Sequence, residues 1–289
     1  MIEVQENIHG NAKRLEYAAI LLSRFTPASV LDMGCGNGVY LTAPLAERFP
    51  AVQFWGTDSD EATVAAAQAF ADAVGGLPNL QYSLDAKLPL GKTFDFIIAS
   101  EVIEHVNEPG EFLLYLRSKL APGGHALITT PNGYGAFELL TAIETPLHLL
   151  GVMRLLSKLP GLRSLKVGTA YDENNVAAMQ SDTIAISPHV NFFSYKRLLT
   201  LIAEAGFDVV EYRPRSLFGG LGFQQLLRSR QALTWNAYTS DKCSPYLVSG
   251  WMFVLKASAH RQPAPRFSYR RRLNERWRKW LTAKRWGTT

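Results

Sequence analysis

The residues best suited to chemistry in this chain of 289 residues are acids set at intervals around a glycine-rich run. Asp32-Met33-Gly34-Cys35-Gly36-Asn37-Gly38 puts a carboxylate just before three glycines. Between a strand and a helix, such a run lets a ligand approach the backbone closely, with N–H groups aimed at it. It departs from the dinucleotide fingerprint G-x-G-x-x-G/A. Gly34 and Gly36 fit, but Val39 stands where Gly or Ala is required, and the third glycine sits at Gly38. A nucleoside ligand suits this loop better than a dinucleotide. Asp58 lies twenty residues past Gly38, where a carboxylate can accept both ribose hydroxyls. Asp85 can accept from an adenine amino group. Asp32 can meet an amino-acid ammonium, directly or through water, and adds negative potential near a sulfonium. Ser59, Ala86, Ser100 and Glu101 adjoin these acids and extend the expected binding wall.

A second group follows. Glu101, Glu104 and His105 have i, i+3, i+4 spacing, which on a helix puts all three on one face. Two carboxylates and an imidazole can bind a divalent cation, and His189 can add a fourth ligand. Mixed carboxylate and imidazole ligation is softer than Mg²⁺ prefers, so Mg²⁺, Mn²⁺ and Zn²⁺ all stay open. Without a metal, Glu101 holds the ligand, and His105 or His189 serves as general base.

The elements that must position these groups alternate. Short apolar runs at 30–33, 52–57, 80–84, 94–100 and 125–130 read as strands, and 12–25, 39–48, 62–74 and 111–120 as helices. Alternating strands and helices imply a parallel sheet covered on both faces. Asp32, Asp58, Asp85 and Glu101 all fall at strand carboxyl ends, where such sheets bind ligands. Residues 134–190 interrupt the pattern as an insertion, with an apolar helical stretch at 147–159 that could pack in the core, cover an apolar substrate or lie on a membrane. A helix at 194–206 and strands at 207–212 and 247–256 complete the body. The expected organisation is an N-terminal helical cap (1–26), a body (27–260) and a tail (261–289).

Composition narrows the class. Two cysteines, Cys35 and Cys243, offer no disulfide framework and no zinc spacing, which fits a reducing cytoplasmic setting. The N-terminus lacks a signal pattern, and no apolar run reaches the ~18 residues a membrane span needs. The net charge of +5 is uneven. Residues 261–289 hold ten Lys/Arg and one acid, Glu275. Leu273, Trp277, Trp280, Leu281 and Lys284 follow helical spacing there. Tryptophan beside arginine suits the headgroup layer of an anionic membrane; the same composition could bind RNA phosphates, which two amphipathic elements favour less, or belong to a solvated or partner-bound tail.

The run 30–38 resembles motif I of the class I S-adenosylmethionine-dependent methyltransferases, and Gly56-Thr57-Asp58 resembles motif II. Residues 94–98 and 120–124 are similar to later motifs of that family. The likeness covers 27–132 well and 189–212 loosely. It implies an α/β Rossmann-like fold, a seven-stranded, mostly parallel sheet with the last strand antiparallel, and S-adenosylmethionine as methyl donor. The E-x-x-E-H run is similar to that of the ubiquinone-biosynthesis O-methyltransferases and the small-RNA 3′-terminal 2′-O-methyltransferases. In both, the resemblance implies a divalent ion gripping the acceptor oxygen. The expected function is O-methylation of an amphipathic or lipid-linked small molecule, such as a quinone precursor, lipid or glycan, at or near a membrane. RNA ribose 2′-O-methylation and a non-catalytic cofactor-binding scaffold at the membrane are the alternatives.

Overall fold

The computed structural model describes residues 1–135, 146–147, 149–152, 189–219, 227, 229–264 and 266–286. Seven strands form one sheet: β1 (Ser29–Met33), β2 (Gln53–Asp58), β3 (Leu80–Leu84), β4 (Phe94–Ser100), β5 (Leu120–Pro131), β6 (Phe207–Pro214) and β7 (Gly250–Ala257). Their order is β3-β2-β1-β4-β5-β7-β6. β1 to β5 pair in parallel, whereas β7 runs antiparallel to both β5 and β6. The strand expected to be antiparallel is therefore the one that is.

The described helices are α1 (Asn11–Phe25), α2 (Thr42–Arg48), α3 (Glu61–Ala73), α4 (Pro109–Lys119), α5 (Tyr195–Glu204), α6 (Arg230–Thr239) and α7 (Leu273–Trp286). Strand side chains alternate between faces, and both faces are covered. Val30, Phe54, Ile98 and Leu127 pack with Leu15, Ala18, Leu21 and Leu22 of α1 and Leu45 of α2. Leu31, Ile97, Ala126 and Ile128 pack with Leu113 and Leu116 of α4 and Leu198 and Leu201 of α5. Burying one such leucine stabilises the fold by about 1.5–3 kcal/mol, which is why the strands read as unbroken apolar runs.

Within 1–26, read as an N-terminal helical cap, α1 forms a core layer, its apolar stripe buried on the sheet. Pro122-Gly123-Gly124, between the expected helix at 111–120 and strand at 125–130, lies within β5. It forms an irregularity inside β5, where pairing with β4 jumps from Phe94↔Leu120 to Phe96↔His125. The segment 261–286 folds back onto the body. Ala264 donates to the Glu204 carbonyl, and Phe267 and Tyr269 pack on the main core. Helix α6 carries no strong apolar period and was not anticipated. Of the apolar stretch expected at 147–159, residues 148 and 153–159 lie outside the described residues. No helix among the described residues is long and apolar enough to cross a membrane.

Candidate active site

The strand order reverses between β1 and β4, and a ligand crevice is expected outside their carboxyl ends. Parallel register brings the acids to one edge: Asp32 pairs beside Gly56 and Ile98, and Asp58 beside Leu84, just before Asp85. The glycine loop turns there through left-handed backbone at Gly34, Gly36 and Gly38, with φ of 70°, 57° and 71°. The three glycines do different work. A Cβ at Gly38 would collide with the Tyr82 hydroxyl, and one at Gly34 with Val102. A Cβ at Gly36 would meet open space. Gly36 is thus the glycine that faces the crevice, and its backbone conformation disfavours any side chain there. Asn37 steadies the turn by accepting from the Val39 N–H at 3.3 Å.

Asp58 accepts from the Gly36 N–H at 3.1 Å and from the Asp60 N–H at 3.1 Å. It therefore ties the glycine loop to the end of β2. Asp32 is buried and accepts from Thr42 Oγ1 at 2.6 Å, which ties β1 to the first turn of α2. Burial lifts its carboxyl to about 7, and the nearby Asp58 adds to the rise. Burial also raises Asp85, which opens a short 3-10 turn, Asp85–Lys87. Ser59 and Ala86 are exposed at the rim.

The Glu101 group differs from expectation. Residues 101–106 form a turn rather than a helix, and Glu101 itself adopts left-handed backbone, φ 58°. Its side chain consequently does not share a face with Glu104 and His105. It lies against the buried Arg215, with Arg14 of α1 at 3.8 Å, and accepts from Thr129 Oγ1 at 2.7 Å. Burial opposes its charge, but Arg215 and Arg14 outweigh that and hold the carboxyl well below the usual range. Arg14 also donates to Ser100 Oγ at 2.9 Å. Arg215 is wedged between two glycines: a Cβ at Gly10 or Gly250 would lie 3.0 Å from its side chain. Half-buried His9 senses the same cluster, and burial, Arg215 and Arg14 lower it to about 4, so its ring stays neutral. Sequence reading missed His9, Arg14 and Arg215. The only signal was a polar run before an amphipathic helix and a basic residue just past a strand.

Glu104, His105 and His189 do come together. Each offers a ligand atom within 4.8 Å of the others', and the two imidazole rings are 4.9 Å apart. Among the described residues this is the group that could hold a metal ion, and Glu101 is not part of it. Glu104 is buried, with one oxygen accepting from Thr130 Oγ1 at 3.0 Å. Its other oxygen has no hydrogen-bond partner among the described residues and lies 4.0 Å from His105 Nε2. Burial, reinforced by Glu101, raises its carboxyl.

The scaffold joining these three is Asn191, another residue the sequence reading passed over. Its side-chain amide donates to the Ile103 and Val106 carbonyls at 3.1 and 2.7 Å. The Val190 and Asn191 N–H groups both donate to the Glu104 carbonyl. The His189 segment is thereby stitched to the Glu104–His105 turn. The basic tail locks the seam from outside. Arg271 donates to the Val190 carbonyl at 3.0 Å, to Asn191 Oδ1 at 3.1 Å and to the Asn107 carbonyl. Arg278 donates to the Gly133 carbonyl at 2.6 Å and lies over the Phe192 ring. Glu275 is fully buried, accepting from Tyr134 and Arg197.

A family model described as Methyltransferase domain matches residues 5–212. A ubiquinone biosynthesis O-methyltransferase of Rickettsia canadensis (strain McKiel) is 33% identical over 126 residues, 42% of this chain and 52% of that protein. A malonyl-[acyl-carrier protein] O-methyltransferase of Halalkalibacterium halodurans is 29% identical over 133 residues, 44% of this chain and 48% of that protein. The chain thus spans about half the length of these curated relatives. Among solved structures, PKMT2 from Rickettsia typhi aligns with a TM-score of 0.54 at 14% identity, covering 93% of this chain and 57% of that one. The methyltransferase domain of bacterial CtHen1-CN aligns with a TM-score of 0.51 at 15% identity, covering 86% and 100%. These structural likenesses speak to fold. With the family match spanning most of the chain and the sheet order, glycine loop and strand-end acids in agreement, the chain belongs to the methyltransferase domain family and has the Rossmann-like fold of the class I S-adenosylmethionine-dependent enzymes.

Proposed function

We propose that the protein methylates an oxygen of an amphipathic or lipid-linked small molecule, such as a quinone precursor, a lipid or a glycan, using S-adenosylmethionine. The observation that carries this reading is the pairing of two sites at one sheet edge. One is the open glycine crevice beside Asp32, Asp58 and Asp85; the other is the Glu104, His105 and His189 group at the end of the neighbouring strand.

S-adenosylmethionine, when bound, supplies an electrophilic methyl carbon on a sulfonium. Asp58 accepts the ribose hydroxyls, and Asp85 accepts from the adenine amino group. Asp32 receives the ammonium, which favours its ionised form. Arg14, whose charge reaches both Asp32 and Ser100, is placed to hold the carboxylate of the same amino-acid portion. Ser100 and Glu101 close that wall. The acceptor oxygen uses a lone pair to form the new C–O bond as the C–S pair returns to sulfur. His105 or His189 accepts the proton that the acceptor hydroxyl loses. Most of the rate comes from holding oxygen, carbon and sulfur in line.

As an alternative to base catalysis by a histidine, the same three residues fit a divalent cation, because the unmatched Glu104 oxygen faces two imidazoles. Such an ion would lower the hydroxyl pKa. One carboxylate with two imidazoles suits Mn²⁺ or Zn²⁺ better than Mg²⁺.

Isothermal titration with S-adenosylmethionine tests the donor site, and no binding by the purified full chain overturns the reading. Transfer of labelled methyl groups to a lipid extract, with an RNA pool as the competing acceptor, tests the acceptor class. Label on ribose instead of lipid would replace it with the RNA alternative.

A further inference from the structure

Helix α7 has two faces with different fates. Its inward face, Glu275, Arg278 and Leu281, is buried against the body. Its outward stripe is not: Leu273, Trp277 and Trp280 are 82%, 55% and 48% exposed. The two indole rings stack on each other at 4.9 Å, 21° from parallel. Leucine one turn on is covered, yet this stripe is left to water, where apolar surface is unfavourable.

The charge around the stripe is of one sign. Glu275 is the only acid in residues 261–289, and folding turns it inward onto Arg197 and Tyr134. Arg272, Arg276 and Lys284 stay exposed beside the tryptophans. The outer surface of α7 therefore presents aromatic rings among cations, with no carboxylate of the helix itself exposed beside them. That chemistry matches the headgroup layer of an anionic bilayer, where indoles sit at the interface and cations meet lipid phosphates.

The position of the helix matters as much. Arg278 and Glu275 seat α7 on the turn 133–134, which follows β5 at the carboxyl edge of the sheet. The glycine crevice opens on that same edge. At 14 residues, α7 is suited to lie in the membrane plane, not to cross it.

We propose that the outward stripe of α7 is a docking surface for an anionic lipid bilayer, and that its seating brings the membrane to the edge where an amphipathic acceptor enters. The surface stands on its own observations; only its use for acceptor delivery rests on the proposed function. Titration of S-adenosylmethionine reads the donor site separately, so the two readings can fail independently.

The test is cosedimentation of the full chain with phosphatidylcholine vesicles, with and without phosphatidylglycerol, at low and high salt. The wild-type protein is expected to bind the anionic vesicles preferentially and to release with salt. Trp277→Ala with Trp280→Ala should weaken partitioning about tenfold, and Arg276→Glu with Lys284→Glu about as much. Both pairs are exposed, so thermal midpoint and S-adenosylmethionine affinity should stay at wild-type values. Equal binding to neutral and anionic vesicles, unchanged partitioning of both variants, or salt-sensitive retention of RNA in place of vesicles would each overturn the proposal.

Discussion

The two regions proposed as donor half and acceptor half, the glycine crevice and the Glu104, His105 and His189 group, are built in opposite ways. β1 to β3 bring their functional groups by local motifs: each acid stands at or just past the end of its own strand, and the parallel register lines them up. The acceptor half, from β4 to α7, assembles its groups from remote segments. Glu104 and His105 come from one turn, His189 from beyond the insertion, and the seam between them is held by Asn191 and Arg271. The donor half can be read off because its chemistry is written in strand order. The acceptor half depends on hydrogen bonds between segments far apart in sequence.

This contrast predicts separable defects. The largest is expected at the imidazoles. His105→Ala or His189→Ala should lower kcat about a hundredfold to ten-thousandfold, with the dissociation constant of S-adenosylmethionine unchanged. Loss of donor binding in these variants would break the division into halves. Next is Asp58→Ala, which removes the proposed ribose acceptor and the anchor of the Gly36 N–H. Donor affinity should fall about a hundredfold or more by calorimetry, since hydrogen bonds to a charged group contribute roughly 1.5–3 kcal/mol each.

A smaller effect is expected from pH. Asp32 stands at about 7 because it is buried. The folded state binds its proton more tightly than the unfolded chain does. This residue therefore costs stability as pH rises from its ordinary range through about 7. A ligand ammonium favours the ionised form, so donor affinity should drop about tenfold per unit as pH falls below 7, with a proton released on binding. Asp32→Asn should flatten that profile; an unchanged slope would remove Asp32 from the ammonium site. The mildest change should come from Arg271→Ala. Its loss unstitches the His189 segment and should reduce kcat severalfold and the thermal midpoint by a few degrees, leaving donor affinity intact.

Much of the fold was legible because its physics is local. Apolar runs made strands, glycines broke them, and both-face burial left a parallel sheet as the consistent arrangement. The acids were legible for the same reason, being strand-end residues at fixed offsets from a loop. The E-x-x-E-H run reads as one cluster, but only Glu104 and His105 of it come together, with His189. Spacing said helix; the structure has a turn, with the Glu101 backbone left-handed and its carboxylate drawn to Arg215 and Arg14. Nothing near residue 101 in sequence announces those two guanidiniums. The tail was legible as an amphipathic helix, yet its apolar stripe was drawn too wide. Leu281 was grouped with the tryptophans, but it packs inward, while Arg278 and Glu275 are buried on hydrogen bonds to the body.

By itself, the sequence determined the sheet, the glycine crevice and the acids at its edge, since each follows from a pattern within one strand–loop–helix unit. Only the tertiary structure decided which carboxylate joins the histidines, which cations neutralise the other, and which face of the basic helix is left outside. Those choices rest on charge pairing and burial between segments far apart along the chain, and a one-dimensional period carries no record of the partner that will cover it.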